Sequence, residues 1–269
     1  MEKDDLSALE TEKKTIPQDV VVYSDDYKKL LDAKAYAGKY YEIDERVEEI
    51  CKEAFKGCDK LEEIVMPKKL KKIDSEAFQG CSSLTKLTLP DSVTSIGKGA
   101  FCGCSGLTEL TLPNGVMSIG GNAFEGCSGL TELTLPNSVT SIADDAFHGC
   151  RGLTELTLPN SVTSIGDGAF RGCRGLTKLT LPNSVTSIGE SAFYLCSGLS
   201  KITSLAEIPP VCGSGVFDGV NKTNCKLIVP IVSVIAYKQA EVWNEFSNIS
   251  GFSGVEVTVA GKTRKIVVE

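Results

Sequence analysis

A phenylalanine recurs along the chain every 23 residues, and this interval limits the possible fold more than any other feature of the sequence. The series consists of Phe55, Phe78, Phe101, Phe124, Phe147, Phe170 and Phe193. A cysteine follows each phenylalanine by three residues, and leucine, isoleucine and proline keep the same interval. Self-similarity at a fixed period of about 20–50 residues is typical of stacked repeat structures. The sequence therefore predicts a solenoid in which each unit packs on its two neighbours.

One unit, residues 153–175, reads LTELTLPNSVTSIGDGAFRGCRG. LTELTL predicts a short strand with leucines facing inward and Thr and Glu facing solvent. Pro159 ends this strand because it lacks a backbone donor. VTSI predicts a second extended piece that buries Val162 and Ile165. Glycines then turn the chain, and AFRGC returns Phe170 and Cys173 to the core.

The predicted fold class is a mainly β repeat solenoid, a right-handed coil of 23-residue units with a parallel sheet on one face and few or no long helices. A single unit cannot bury its own apolar side, whereas stacked units cover one another. The phenylalanines are expected to form one internal row and the cysteines another.

The chain is predicted to contain five regions. They are a disordered polar tail (1–18), an N-terminal cap with a degenerate repeat (19–60), central repeats (61–205), a C-terminal cap with a strand and a short helix (206–250) and a terminal β-hairpin (251–269). In the N-terminal cap, residues 26–37 are compatible with a short helix, but VVVY favours a hairpin. In the C-terminal cap, SVIAYKQAEVWNEF predicts a helix with Ser233 as its N-cap.

The charge balance argues against nucleic acid as a partner. The chain has 28 basic and 35 acidic residues, a single tryptophan and no dense basic patch. No stretch approaches the roughly 20 consecutive apolar residues of a membrane span. The first twenty residues show no apolar export signal, so the residues alone leave open both export and a cytoplasmic location.

The sequence predicts a protein that is not an enzyme and that binds no metal and no cofactor. His148 is the only histidine, and it occupies a position filled by unrelated residues in other units, so it is interpreted as an ordinary surface residue. The 23-residue spacing of the cysteines matches no zinc motif and favours small buried side chains. Cys212 and Cys225 could pair in an exported protein. Cys51 and Cys102 lie outside the buried row and are the candidates for reactive thiols.

The exposed face of the leucine strands is the candidate binding site. One row of side chains along it carries charge, and a parallel row carries threonines. The predicted binding residues are Glu63, Lys86, Glu109, Glu132, Glu155, Lys178 and Lys201 in the first row, and Thr111, Thr134 and Thr157 in the second. The acidic middle of the first row favours a basic or mixed-charge protein partner. The alternative is a solvated face of a structural spacer that has no ligand of its own.

The pattern LTxLTLPxSVTSIGxxAFxGCxG, over roughly residues 40–205, resembles the BspA-like (Treponema-type) leucine-rich repeat family. The run VPIVSVIAYKQAEVW is similar to the closing segment of such proteins through Val229, Pro230, Ser233, Ala236, Tyr237, Ala240 and Trp243. The resemblance implies a secreted or surface-attached bacterial protein that binds host or neighbouring-cell proteins, including those of the extracellular matrix. We expect a monomer, with a weak dimer conceivable through an incompletely capped end.

Overall fold

A computed structural model describes residues 20–259 and 262–267, with side-chain environments for residues 20–253. The chain forms a β-solenoid of about ten turns with a spacing of about 23 residues, as the repeat interval predicts. The predicted tail, residues 1–18, lies outside the described residues. The five region boundaries stay predictions.

The leucine segments form a parallel sheet, which we call the leucine ladder. Its strands are β3 (Tyr40–Glu42), β5 (Glu63–Val65), β8 (Glu109–Thr111), β10 (Glu132–Thr134), β12 (Glu155–Thr157), β14 (Lys178–Leu181), β16 (Lys201–Ser204), β18 (Lys226–Pro230) and β19 (Asn248–Phe252). They pair in three groups, β3–β5, β8–β10 and β12–β14–β16–β18–β19. An isolated bridge joins Glu63 to Lys86.

The VTSI segments form a second set of parallel strands, which we call the serine–isoleucine ladder. Its strands are β2 (Lys29–Asp32), β4 (Glu49–Ile50), β6 (Lys72–Ile73), β7 (Ser95–Ile96), β9 (Ser118–Ile119), β11 (Ser141–Ile142), β13 (Ser164–Ile165), β15 (Ser187–Ile188) and β17 (Val211–Cys212). They pair in two groups, from β2 to β9 and from β11 to β17. Each turn thus contributes two strands. The solenoid has a second set of parallel strands in addition to the parallel sheet expected from the sequence.

The core is enclosed by the two ladders and by the turns that follow each serine–isoleucine strand. We call these turns the corner, and they carry the phenylalanines. Neighbouring rings from Phe55 to Phe217 stack with centroids 5.0–5.6 Å apart and planes within 9° of parallel. The cysteine row lies beside them, and each thiol in it donates to a backbone carbonyl of the preceding turn, as Cys127 does to Phe101 at 3.3 Å. Both internal rows predicted from the sequence are confirmed.

The N-terminal cap begins with a hairpin rather than a helix. Strand β1 (Val22–Tyr23) pairs antiparallel with β2, which then joins β4 in the parallel ladder. The hairpin favoured from the VVVY segment is therefore confirmed.

The C-terminal cap contains less helix than the sequence predicts. The α-helix α1 covers only Val234–Gln239, and 3-10 turns cover Ile231–Ser233 and Trp243–Glu245. Ser233 occupies the N-cap position of α1, but its side chain makes no capping hydrogen bond. Ser233 is buried instead, so its position follows from packing and not from capping. Beyond the cap, β20 (Gly254–Val259) and β21 (Lys262–Val267) pair antiparallel, and the connecting residues 260 and 261 lie outside the described part.

Candidate protein-binding surface

The charged row predicted from the sequence runs along the exposed side of the leucine ladder. The pairing places Glu109 beside Glu132, and Glu155 beside Lys178, which in turn lies beside Lys201. The side chains alternate with buried leucines, because successive residues of a strand point to opposite faces. Glu63 and Lys86 extend the row towards the N terminus through their isolated bridge. The structure therefore places all seven charged residues on the same face, in three groups of paired neighbours.

The threonine row lies next to the charged row on the same face. Thr111 is in register with Thr134, and Thr157 is in register with Thr180. All three predicted members, Thr111, Thr134 and Thr157, are exposed. The two rows form a flat polar strip that any extended partner would meet together.

Charge is unevenly distributed along this strip. Glu155 and Lys178 form an ion pair of 2.6 Å, and their side chains are 60% and 57% exposed. An exposed pair of this kind contributes at most about 1 kcal/mol to stability. Glu109 and Glu132 make no ion pair within the described residues. The strip is acidic in its middle and basic beyond Lys178.

The basic end is longer than the sequence interval predicts. Lys226 of β18 pairs with Lys201 of β16 and continues the charged row by another turn. Sequence reasoning missed Lys226 because the step from Lys201 is 25 residues and breaks the 23-residue interval. The alternation of KLIVP was the signal that could have placed it.

The only histidine lies on the corner of the solenoid, away from both ladders. His148 Nδ1 is 3.3 Å from Glu125 Oε1 and 3.9 Å from Asp145 Oδ1, and its side chain is 36% exposed. Cys102 Sγ lies 4.0 Å from the same Glu125 carboxylate, on its other side. The negative charge of Glu125 therefore stands between the imidazole and Cys102, where it disfavours the thiolate that nucleophilic catalysis would need.

The environments of Cys51 and Cys102, the two candidates for reactive thiols, disfavour the thiolate. Burial raises the pKa of the Cys51 thiol, and the nearby Glu49 carboxylate adds to the effect. Burial and then Glu125 raise the pKa of Cys102 in the same way. Because the thiolate is the reactive species, both sites favour the unreactive form.

The remaining thiols are free and mostly buried. Cys212 and Cys225 do not form the disulfide that an exported protein could have carried. Within the described residues, no group of three or more His, Cys, Asp and Glu side chains is arranged to hold a metal ion.

Exposed apolar side chains cluster in sequence within the C-terminal cap. They are Ile208, Val211, Ile231, Val232 and Ile235, with 58–83% of each exposed. Sequence reasoning did not single them out, because it considered the segment from Ser233 only as a helix. None of the helices in the described part of the chain is both long and apolar enough to span a membrane.

The chain matches the sequence profile described as the BspA type leucine rich repeat region in six copies, over residues 34–153 and 118–231. A leucine-rich repeat protein of T. pallidum shares 31% identity over 77% of this chain and 89% of its own, with a TM-score of 0.57. A leucine-rich repeat protein of Bacteroides ovatus shares 28% identity over 88% of this chain and 68% of its own, with a TM-score of 0.59. No protein of curated function matches the chain.

Proposed function

The chain belongs to the BspA-type leucine-rich repeat family, and from this premise we propose that it is a non-enzymatic bacterial protein that binds other proteins through the exposed face of its leucine ladder. The observation that carries the proposal is the charged strip, in which every turn from Glu63 to Lys226 presents one charged side chain on the same face. Solenoids use such extended repeated surfaces to hold extended partners.

The electrostatic pattern favours a partner of basic or mixed charge. Three neighbouring glutamates, Glu109, Glu132 and Glu155, give the middle of the strip a negative potential that attracts Lys and Arg from solution. The units are nearly identical, so a repetitive partner meets the same contact several times. Weak contacts of this kind gain strength through multivalency.

We place the protein at the bacterial surface or outside the cell, where host proteins or neighbouring cells supply the partner. The support is the resemblance of the repeat to BspA-like proteins and the bacterial origin of its solved relatives. In this proposal the protein acts in adhesion to extracellular-matrix proteins. The alternative is a structural spacer that has no ligand of its own.

The test measures binding of the chain to immobilised extracellular-matrix glycoproteins by biolayer interferometry. A variant with Glu109→Lys, Glu132→Lys and Glu155→Lys reverses the acidic middle of the strip. We expect saturable binding by the natural sequence and a loss of about tenfold or more in the variant, because like charges across an interface cost several kcal/mol.

A matched control changes the same amount of charge elsewhere. Asp91→Lys, Glu190→Lys and Glu241→Lys alter three exposed acidic residues that lie outside the leucine ladder. This control should bind like the natural sequence. Equal losses in both triple variants would show that net charge, and not the strip, attracts the partner. If neither the natural protein nor the variants bind any glycoprotein, the adhesin role is wrong and the spacer is favoured.

A further inference from the structure

When each turn is counted from a serine–isoleucine strand through the phenylalanine corner to the next leucine strand, both ladders are interrupted between the same two turns, residues 118–134 and residues 141–157. Strand β9 does not pair with β11, and β10 does not pair with β12. The backbone bond from Thr177 N–H to the Thr154 carbonyl, 2.8 Å, has no counterpart from Thr154 to Thr131. Across the described residues this is the one junction at which both ladders stop. The leucine ladder also stops between residue 86 and β8, but the serine–isoleucine ladder continues there.

The corner of the solenoid stays closed at this junction. Phe124 N–H donates to the Ala146 carbonyl at 2.8 Å, and Gly126 N–H donates to the His148 carbonyl at 2.7 Å. The rings of Phe124 and Phe147 remain stacked at 5.4 Å. The two turns are therefore joined at the corner and parted along both strands.

One residue distinguishes this junction from the other central junctions. Glycine occupies the position after the isoleucine in the other central turns, where it passes close to the turn before. A β-carbon on Gly120 would lie 2.5 Å from the backbone nitrogen of Lys98, and one on Gly166 would lie 2.7 Å from that of Asp144. The equivalent residue at the interrupted junction is Ala143, which has that β-carbon.

The backbone hydrogen bond made by the residue after the isoleucine also differs between the turns with glycine and the turn with Ala143. Gly120 N–H donates to the Ile96 carbonyl and Gly166 N–H to the Ile142 carbonyl, both at 2.8 Å. No such bond joins Ala143 to Ile119 in the described structure. In the first turns, whose sequences differ, Asp74 keeps the bond to Ile50 despite its side chain. Among the central turns, the loss of this bond therefore coincides with the β-carbon of Ala143, which we call the wedge.

The parting leaves an open groove of about 590 Å³ on the leucine face. It is lined by residues 131–135 and by residues 154, 155 and 157–159. Leu133 is partly exposed here, whereas its counterparts Leu110 and Leu156 are 1% exposed. The volume falls within the range of about 300–1,000 Å³ typical of ligand clefts. Glu132 and Glu155 stand at the groove, and Leu135 and Leu158 lie deeper.

We infer that this groove binds an extended, basic segment of a partner protein, with Lys or Arg side chains on Glu132 and Glu155 and apolar side chains against Leu133. The inference rests on the proposed function and specifies the place and the chemistry of its contact. Strands β10 and β12 each present an unpaired edge to the groove, and such edges accept an extended peptide through its main chain. The two glutamates supply the charge complementarity.

The experiment uses the full chain and a fluorescein-labelled octapeptide in which arginine and valine alternate, because alternate side chains of an extended peptide face opposite sides. Fluorescence anisotropy measures its binding. Control peptides carry glutamate in place of arginine, or the same residues in two blocks. We expect saturable binding of the alternating basic peptide and at least about tenfold weaker binding of both controls.

The decisive variants change residue 143, the wedge, and leave every charged residue unchanged. Ala143→Gly removes the β-carbon, so the turns should close and peptide binding should weaken by at least about tenfold. Ala143→Ser keeps the β-carbon and should bind as the natural sequence does. Hydrogen exchange of residues 131–135 and 154–158 reports the closure directly, with slower exchange expected in Ala143→Gly only.

Three results would overturn the inference. The first is equal peptide binding by Ala143→Gly and Ala143→Ser once exchange has shown that the groove closed. The second is the absence of peptide binding by the natural sequence. The third is a concentration-dependent dimer that Ala143→Gly abolishes, which would assign the groove to a second copy of the chain. Glycoprotein binding that still depends on Glu109, Glu132 and Glu155 would leave the proposed function standing in each case.

Discussion

Each thiol of the central cysteine row is buried from solvent and donates a hydrogen bond. Cys81, Cys104 and Cys127 donate to the carbonyls of the phenylalanines one turn back, at 3.1–3.3 Å. Burial raises the pKa of Cys81 and of Cys127 to about 12 and that of Cys104 well above its usual value. The row therefore depends on neutral thiols.

This chemistry predicts a loss of stability in alkaline solution. A thiol whose pKa rises on folding contributes its full stability below its unfolded pKa of about 8.5, and that contribution is lost as the pH rises through the folded value. We expect the free energy of unfolding to fall between about pH 8 and about pH 10, by on the order of 1–2 kcal/mol per buried thiol. Urea denaturation at both pH values measures it.

The matched control carries Cys81→Ala, Cys104→Ala and Cys127→Ala. It loses some packing at every pH, so the quantity to compare is the decrease in stability between the two pH values. That decrease should be smaller in the variant, because three titrating groups have been removed. An equal decrease in both proteins would show that tyrosines or lysines, and not these thiols, cause the alkaline loss.

At the scale of secondary-structure elements, the short helix α1 exists because of what it contacts. Six residues are too few to form a stable helix in water, since nucleation is unfavourable. Tyr237 of α1 and Trp243 of the following 3-10 turn attach this cap to the solenoid. The Tyr237 hydroxyl donates to the Ala206 carbonyl at 3.0 Å and lies 2.7 Å from Ser204 Oγ, and Trp243 Nε1 donates to the Pro210 carbonyl at 2.8 Å.

The substitution Tyr237→Phe tests this attachment. It leaves the buried Ser204 hydroxyl without its tyrosine partner, and we expect a loss of about 1–3 kcal/mol in the free energy of unfolding. Adding Ser204→Ala should recover part of that loss, because replacing both partners is cheaper than orphaning one. A double-mutant cycle by urea denaturation measures the coupling. Strict additivity would mean that the two hydroxyls do not interact.

At the scale of the whole molecule, stability is a sum of contacts between neighbouring turns. Each ring of the phenylalanine row touches only the rings before and after it, and each strand of a ladder pairs with strands one turn away. Repeat proteins of this kind follow a nearest-neighbour description, so a whole unit can be removed without disturbing distant ones.

Deletion of residues 176–198 removes one unit and joins Gly175 to Leu199 in the same phase of the repeat. We expect an unchanged shape of the circular dichroism spectrum and a decrease of Tm of no more than about 10 °C. The groove between β10 and β12 lies outside the deletion and should still bind the basic octapeptide. Deletion of only the first half of the unit, residues 176–186, should unfold the C-terminal turns, because it shifts the phase of every later strand.

The sequence by itself determined every feature that follows from the repeat interval. Phe147 and Phe170 had to stack because equal spacing puts equivalent residues at the same place in successive turns, and one turn cannot bury its own apolar side. The exposed charged row follows from the same interval and from the alternation of strand residues, which is why Glu109, Glu132 and Glu155 could be placed on one line. Their binding role stays a prediction.

Only the tertiary structure determined the features that depend on the distance between adjacent turns, such as the groove. Residues 130–142 and 153–165 have the same sequence, so nothing in the strands themselves marks the groove between them. The one signal was Ala143 at a position where neighbouring units have glycine, and its meaning requires the close approach of the turn before. The short cap helix and the place of Lys226 likewise follow from contacts where the interval ends. A repeat specifies which residues are equivalent, whereas van der Waals contact between adjacent turns determines how closely they stack.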